Sequence, residues 1–180
     1  AIGGLAVGET RDQLYAMTEH CTRQMPAGKP RYLMGVGTPI DLVECVHRGV
    51  DMFDCIMPGK MAERGYAFTF EGRLRMTRSE YRLSDAPLDS GCGCPVCKTY
   101  SRGYLRHLAH GDHALSTRLL MTHNHWHYQA LMARMRAAST APAARMNSMA
   151  IGGTRWIISS KRGRCSAQTV TAVIASTLAE

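Results

Sequence analysis

Tyr32-Leu33-Met34-Gly35-Val36-Gly37-Thr38-Pro39-Ile40-Asp41-Leu42-Val43-Glu44-Cys45-Val46-His47-Arg48-Gly49-Val50-Asp51-Met52-Phe53-Asp54-Cys55-Ile56-Met57 is the stretch on which the fold turns. Tyr32 to Val36 is short and continuously apolar, the pattern of a strand buried on both faces. Gly37-Thr38-Pro39 ends it and opens a helix: Thr38 suits the N-cap, Pro39 the first helical position, and Asp41 complements the helix dipole. That helix turns Leu42, Val43 and Val46 inward and stops at Gly49. Val50 to Met57 then returns as a second apolar strand. Strand, helix and strand in this order form a right-handed parallel unit, so the expected class is α/β.

In such units chemistry gathers at the carboxyl ends of the strands. Asp54 reaches that level in an apolar setting, with Met34-Gly35-Val36-Gly37 beside it on the neighbouring strand. A carboxylate there can act as nucleophile or base once partial desolvation and nearby amides tune it. The alternative is a capping or salt-bridged aspartate. Asp51, earlier on the strand, reads as structural.

Towards the amino end, Ile2-Gly3-Gly4-Leu5-Ala6-Val7-Gly8-Glu9 reads as the end of a buried strand entering a glycine-rich loop, where small residues let backbone amides approach a flat ligand. Thr10 to Met25 is predicted helical, with Leu14, Met17 and Cys21 on one face behind a Thr10 cap. Towards the carboxyl end, Gly59 to Gly65 reads as a polar loop. Tyr66 to Phe70 and Gly72 to Met76 form a hairpin around Glu71-Gly72. After a loop from Ser84 to Gly91, Ser101 caps a helix running to His110, and Asp112 caps a longer one to about Ala137.

Between them lies Cys92-Gly93-Cys94-Pro95-Val96-Cys97. Three cysteines in six residues always leave one over if they pair, whereas three thiolates and an imidazole satisfy a tetrahedral zinc ion. His123 shares a helix face with Leu119, Leu120, His127 and Leu131 and points towards packed structure. His107, His110, His113, His125 and His127 also lie near in sequence, so the spacing alone leaves the fourth ligand open.

The 180 residues are 45% apolar and 20% charged, enough for one ordinary core. No run of eighteen apolar residues occurs, and the start lacks a basic segment followed by an apolar one, so neither a membrane span nor export is expected. The seven cysteines include Cys21, Cys45, Cys55 and Cys165 without framework spacing, which fits a reducing, cytoplasmic setting. Lys and Arg exceed Asp and Glu by 22 to 14, a net charge of +8. Arg73, Arg75, Arg78, Arg82, Arg102 and Arg106 carry much of it, which points to polyanions and above all nucleic acid, against the plainer reading of a solvated basic face. The twelve methionines read as core filler. Residues 138–180, rich in Ala, Ser and Thr with a basic Lys161-Arg162-Gly163-Arg164, are expected to form an atypical, poorly ordered tail.

Taken together, these pieces resemble the C-terminal part of the bacterial tRNA-guanine transglycosylases, or queuine tRNA-ribosyltransferases. Gly3 to Glu9, Tyr32 to Thr38, Gly49 to Pro58, Cys92 to Cys97 with Tyr100-Ser101-Arg102, and His123-Asn124 with Tyr128-Gln129 carry the resemblance, in order, over about residues 1 to 136. It implies the C-terminal portion of a (β/α)8 barrel with a zinc subdomain: the last barrel strands and helices in 1–83, the zinc subdomain and C-terminal helix in 84–137. It implies exchange of guanine at the tRNA wobble position for a deazaguanine precursor of queuosine, through a covalent aspartyl-ribosyl intermediate.

By the same resemblance Asp54 is the nucleophile, and Gly4, Leu5, Tyr32 and Met34 contact the base. Gly35, Val36, Gly37, Thr38, Pro39, Ile40 and Asp41, with Gly59, Lys60, Met61, Ala62 and Glu63, lie in loops that contact the tRNA. Cys92, Cys94, Cys97 and His123 hold one structural zinc ion, and the complete enzyme is a homodimer. The family's general acid/base is expected in a part that this chain does not contain. Gly59, Lys60 and Glu63 stand where the family carries Thr-Arg and a second arginine, a change that should weaken RNA contacts. The alternative reading is a truncated, non-catalytic zinc-containing remnant that binds RNA or another subunit.

Overall fold

The computed structural model describes residues 1–140 and three short strands beyond them, 148–151, 154–157 and 171–173. Its elements run α1 (Arg11–Gln24), β1 (Tyr32–Leu33), α2 (Pro39–His47), β2 (Met52–Asp54), α3 (Met57–Glu63), β3 (Tyr66–Thr69), β4 (Gly72–Arg75), α4 (Pro95–Thr99), α5 (Arg102–Gly111), α6 (His113–Thr140), β5 (Ser148–Ile151), β6 (Thr154–Ile157) and β7 (Thr171–Val173). The mixed α/β class expected from sequence holds. Contacts divide the chain into two units, one built on Ala1–Ile56 with Ala130–Met149 and Arg155–Glu180, the other on Met57–Gln129 with Ala150–Thr154. Of the tail expected over 138–180, residues 138–140 close α6 and β5 to β7 are described; the rest lies outside the described residues.

In the first unit, the strand, helix and strand read from sequence form a parallel pair, with Tyr32 opposite Met52 and Leu33 opposite Phe53. Ile2 makes a parallel bridge to Leu33 on one side, and β7 pairs in parallel with β2 on the other. The strands are shorter than expected, two and three residues rather than five and eight. Thr38 caps α2 by accepting from the Asp41 amide, and Leu42, Val43 and Cys45 are buried on its inner face. Gly37 lies so close to the start of the next loop that a Cβ there would stand 2.1 Å from the Cys55 Cβ, so only glycine fits.

Two expectations need correction. Helix α1 buries Leu14, Thr18 and Thr22, not Leu14, Met17 and Cys21; Met17 is exposed. The strict four-residue step carries two threonines inward, and Thr22 Oγ1 donates to the Arg48 carbonyl at 2.7 Å. The stretch from Gly59 is not a loop but most of α3, because Pro58, Met61 and Ala62 share a buried face at three- and four-residue spacing.

The second unit packs Ala62, Ala67, Met76, Leu88, Cys94, Val96, Leu105 and Leu120 into one core. The β3–β4 hairpin forms as expected, with Thr69 opposite Gly72 and a tight turn at Phe70-Glu71. Asn124, fully buried on α6, ties this unit together. Its amide donates to the carbonyls of Pro58 and Tyr66, each at 3.0 Å, and its carbonyl accepts from the Phe68 amide at 2.9 Å.

Candidate active site and candidate metal centre

Asp54 ends β2, at the carboxyl end of the parallel strands, where such folds place their chemistry. Within its apolar stretch the carboxylate meets two polar groups. The Tyr32 hydroxyl donates to its Oδ1 at 2.6 Å, and the Gly35 amide donates to the same atom at 3.0 Å. Gly35 has φ +72°, a conformation that L side chains rarely adopt, so the turn directly after that amide favours glycine. The Tyr32 hydrogen bond first, then the Gly35 amide, hold the Asp54 carboxyl below its ordinary pKa against some desolvation. The same bond raises the Tyr32 phenol. Asp54 is therefore an anion at neutral pH, partly open to solvent.

The glycine-rich start lies beside it in the same unit. A Cβ on Gly3 would meet Met34 Sδ at 3.4 Å, and a Cβ on Gly35 would meet that of Ala6 at 3.7 Å. Met34 is 47% exposed, Val7 84% and Ile56 50%. An ionised carboxylate thus shares its unit with exposed apolar side chains, and the Gly35 backbone meets it directly, an arrangement suited to a flat, apolar-faced ligand. Asp51 is structural as expected, its Oδ2 accepting from the Arg31 amide at 2.9 Å.

The second constellation is closed. Cys92, Cys94, Cys97 and His123 place their ligand atoms within 4.8 Å of one another, and among the described residues no other group of His, Cys, Asp and Glu does so. The Sγ atoms lie 3.8, 3.5 and 3.3 Å from His123 Nδ1. His123 Nε2 meets the Phe68 carbonyl at 2.7 Å. A carbonyl only accepts, so Nε2 carries the proton and Nδ1 turns its lone pair to the sulfurs. Burial lowers the His123 pKa and keeps the ring neutral, while burial and the neighbouring thiols push Cys92 and Cys97 up. Such thiols ionise only with a cation among them. The donor set can hold a metal ion.

Two backbone devices shape the cysteine loop. Asp89 Oδ1 accepts from the Gly91 amide at 2.9 Å, and the Asp89 carbonyl from the Cys92 amide at 3.1 Å. Arg102 donates to the carbonyls of Pro87 at 2.8 Å and Leu88 at 3.0 Å. Arg102 and Arg106, read from sequence as part of a basic surface, are thus committed to carbonyls; Arg106 donates to that of Arg78 at 2.9 Å. Asp89 was not singled out by the sequence reading, although Asp-Ser-Gly is a turn signal.

A family model described as queuine tRNA-ribosyltransferase matches residues 1–141. Curated relatives of that name come from Novosphingobium aromaticivorans (51% identical), Francisella tularensis subsp. novicida (49%) and Lachnoclostridium phytofermentans (47%). Each match runs over 138 residues, 77% of this chain, and covers 37%, 38% and 36% of the respective relative.

The chain belongs to the queuine tRNA-ribosyltransferase family.

It spans little more than a third of the length of the queuine tRNA-ribosyltransferases it matches. The residues expected to face tRNA are unevenly placed. Gly35 and Lys60 are exposed, as is Glu63, and Thr38, Ile40 and Gly59 are half-buried. Val36, Gly37, Pro39, Asp41, Met61 and Ala62 are buried. The Asp41 carboxylate is engaged within the fold: Oδ1 accepts from the Tyr15 hydroxyl at 2.7 Å and lies 3.4 Å from Arg11 Nε, and Oδ2 accepts from Thr38. Its part is to join α1 to α2. No helix among the described residues is long and apolar enough to cross a membrane.

Proposed function

We propose that this chain supplies the nucleophile and the base-facing loops of a tRNA-guanine transglycosylase, which exchanges guanine at the wobble position of tRNA for a deazaguanine precursor of queuosine. The observation that carries this reading is the Asp54 carboxylate, ionised at the end of a parallel strand and held by Tyr32 and Gly35. In the proposed reaction an Asp54 oxygen bonds to the ribose anomeric carbon as the bond to guanine N9 breaks. Guanine leaves with that electron pair and takes up a proton from solvent. The ring nitrogen of the incoming base, giving up its own proton, then displaces the aspartyl ester and restores the carboxylate. Two displacements at one carbon retain its configuration.

Gly4, Leu5, Tyr32 and Met34 would border the base, and the exposed parts of Gly35 to Asp41 and Gly59 to Glu63 would meet the tRNA. In this reading the parallel strands are the last of a (β/α)8 barrel with a zinc subdomain, and the complete enzyme is a cytoplasmic homodimer. Zinc fits the cysteine cluster: bonds of about 2.3 Å to sulfur and 2.0–2.1 Å to nitrogen at tetrahedral angles imply S···N separations of about 3.6 Å. The separations of 3.3 to 3.8 Å bracket that value. Four protein ligands leave no open position, so the ion would be structural. Exchange of labelled guanine into cognate tRNA tests the reading. Asp54→Ala should lower the rate by about 10⁴-fold; a rate equal to wild type would overturn it.

A second reading, a zinc-containing module that binds RNA without catalysis, draws on the unit holding the cysteine cluster, which has its own buried core. It predicts a gel shift with tRNA that Asp54→Ala does not alter and that weakens steeply with salt. Absence of binding at low salt would exclude it.

A further inference from the structure

The Tyr32 and Gly35 hydrogen bonds to Asp54 end on one oxygen, Oδ1, at 2.6 Å from the Tyr32 hydroxyl and 3.0 Å from the Gly35 nitrogen. The backbone dictates this asymmetry. Tyr32 lies opposite Met52, two residues before Asp54 on the paired strand, so its long side chain reaches along the strands to the carboxylate while a shorter one would not. Gly35, three residues later, brings its amide to the same atom.

We propose that Tyr32 is a positioning residue: with the Gly35 amide it fixes Oδ1 and leaves Oδ2 as the atom that bonds to the ribose carbon. The proposal rests on the transglycosylase reading of Asp54 and goes beyond the base-bordering part that resemblance gives Tyr32. A carboxylate free to rotate about its Cβ–Cγ bond presents either oxygen in many directions; one held at Oδ1 presents a single oxygen along a single line. When Oδ2 bonds to carbon, Oδ1 becomes the ester carbonyl. When the incoming base breaks the Oδ2–carbon bond, the electron pair returns to the carboxylate, and two donors already aimed at Oδ1 stabilise the returning charge. Loss of the phenol should therefore slow release of the ester more than its formation, because the carboxylate becomes a poorer leaving group.

The test uses the full 180-residue chain. With carbon-13 in the aspartate carboxyls, and Asp54→Asn to assign the signal, the titration of Asp54 is followed in wild type and in Tyr32→Phe. The acid constant of Asp54 should fall about tenfold in Tyr32→Phe. An unchanged constant, with the other aspartate signals at their wild-type positions, would overturn the proposal whether or not the chain turns over. In base exchange, Tyr32→Phe should lower kcat about tenfold at unchanged KM for guanine, and a covalent protein–tRNA species should accumulate. A raised KM at unchanged kcat would reduce Tyr32 to a wall of the base site and overturn the positioning role. Asp54→Ala exchanging at the wild-type rate would instead overturn the transglycosylase reading beneath it, and the titration separates that failure from failure of the Tyr32 contact.

Discussion

The end of β2 and the cysteine cluster are built on opposite plans. At Asp54, a single carboxylate sits on a three-residue strand, partly exposed, with Tyr32 and Gly35 both on one oxygen. Around His123, four ligand atoms converge within 4.8 Å, Cys94 and His123 are completely buried, and the far ring nitrogen is already bonded to the Phe68 carbonyl. One group is partly open to solvent; the other has four ligand atoms supplied from within the protein. A residue that must bond to a substrate is left open and tuned by few neighbours, whereas a residue that holds a fold together is enclosed. The contrast predicts that damage to the cluster is a stability event and damage to Asp54 a chemical one.

The largest stability effect should follow Cys94→Ser. Purified wild type should carry about one equivalent of zinc, and the variant close to none, with loss of the cooperative melting of its unit, because metal binding and folding share one free energy. Metal analysis and circular dichroism check both, and a variant that melts like wild type would break the comparison. Acidification should act in the same direction. The thiols of Cys92 and Cys97 are pushed up and the ring of His123 down. Proton competition is therefore for the thiolates, and affinity falls as pH falls. Zinc release to a chelating dye should rise from pH 8 to pH 5 with more than one proton taken up per ion.

Asn124→Ala, next in size, removes three buried hydrogen bonds and leaves the Phe68 amide and the Pro58 and Tyr66 carbonyls unmet. A loss of about 2–4 kcal/mol in urea unfolding is expected. Gly37→Ala should cost about 1–3 kcal/mol, since its Cβ would overlap that of Cys55. The double variant Gly37→Ala with Cys55→Gly should recover part of it, and no recovery would show that the clash is not the cause. Smallest of all, Asp54→Asn keeps an acceptor for Tyr32 and Gly35 but loses the charge that strengthens both bonds, and should cost about 1 kcal/mol. A larger shift would mean that Asp54 is holding the fold.

Much of this contrast was legible in the residues. Thr38-Pro39 announced α2, and continuous apolar runs on either side announced a parallel pair, because caps and buried strands depend on local chemistry. The three cysteines announced a metal site for the same reason. Which polar groups meet the Asp54 carboxylate was not legible, since Tyr32 and Gly35 lie about twenty residues away across a strand pairing. Burial within the segments expected to face tRNA was not legible either: the turns of α2 and α3 carry Asp41 and Met61 inward. Arg102 likewise reads as surface charge until the carbonyls of Pro87 and Leu88 are brought beneath it.

The central claim is that Asp54 itself bonds to the ribose. Incubation of the chain with cognate tRNA, followed by denaturing electrophoresis, tests it most directly. Wild type should give a covalent protein–tRNA band that chases on addition of guanine, and Asp54→Asn should give none. A band of equal intensity from Asp54→Asn would contradict the account.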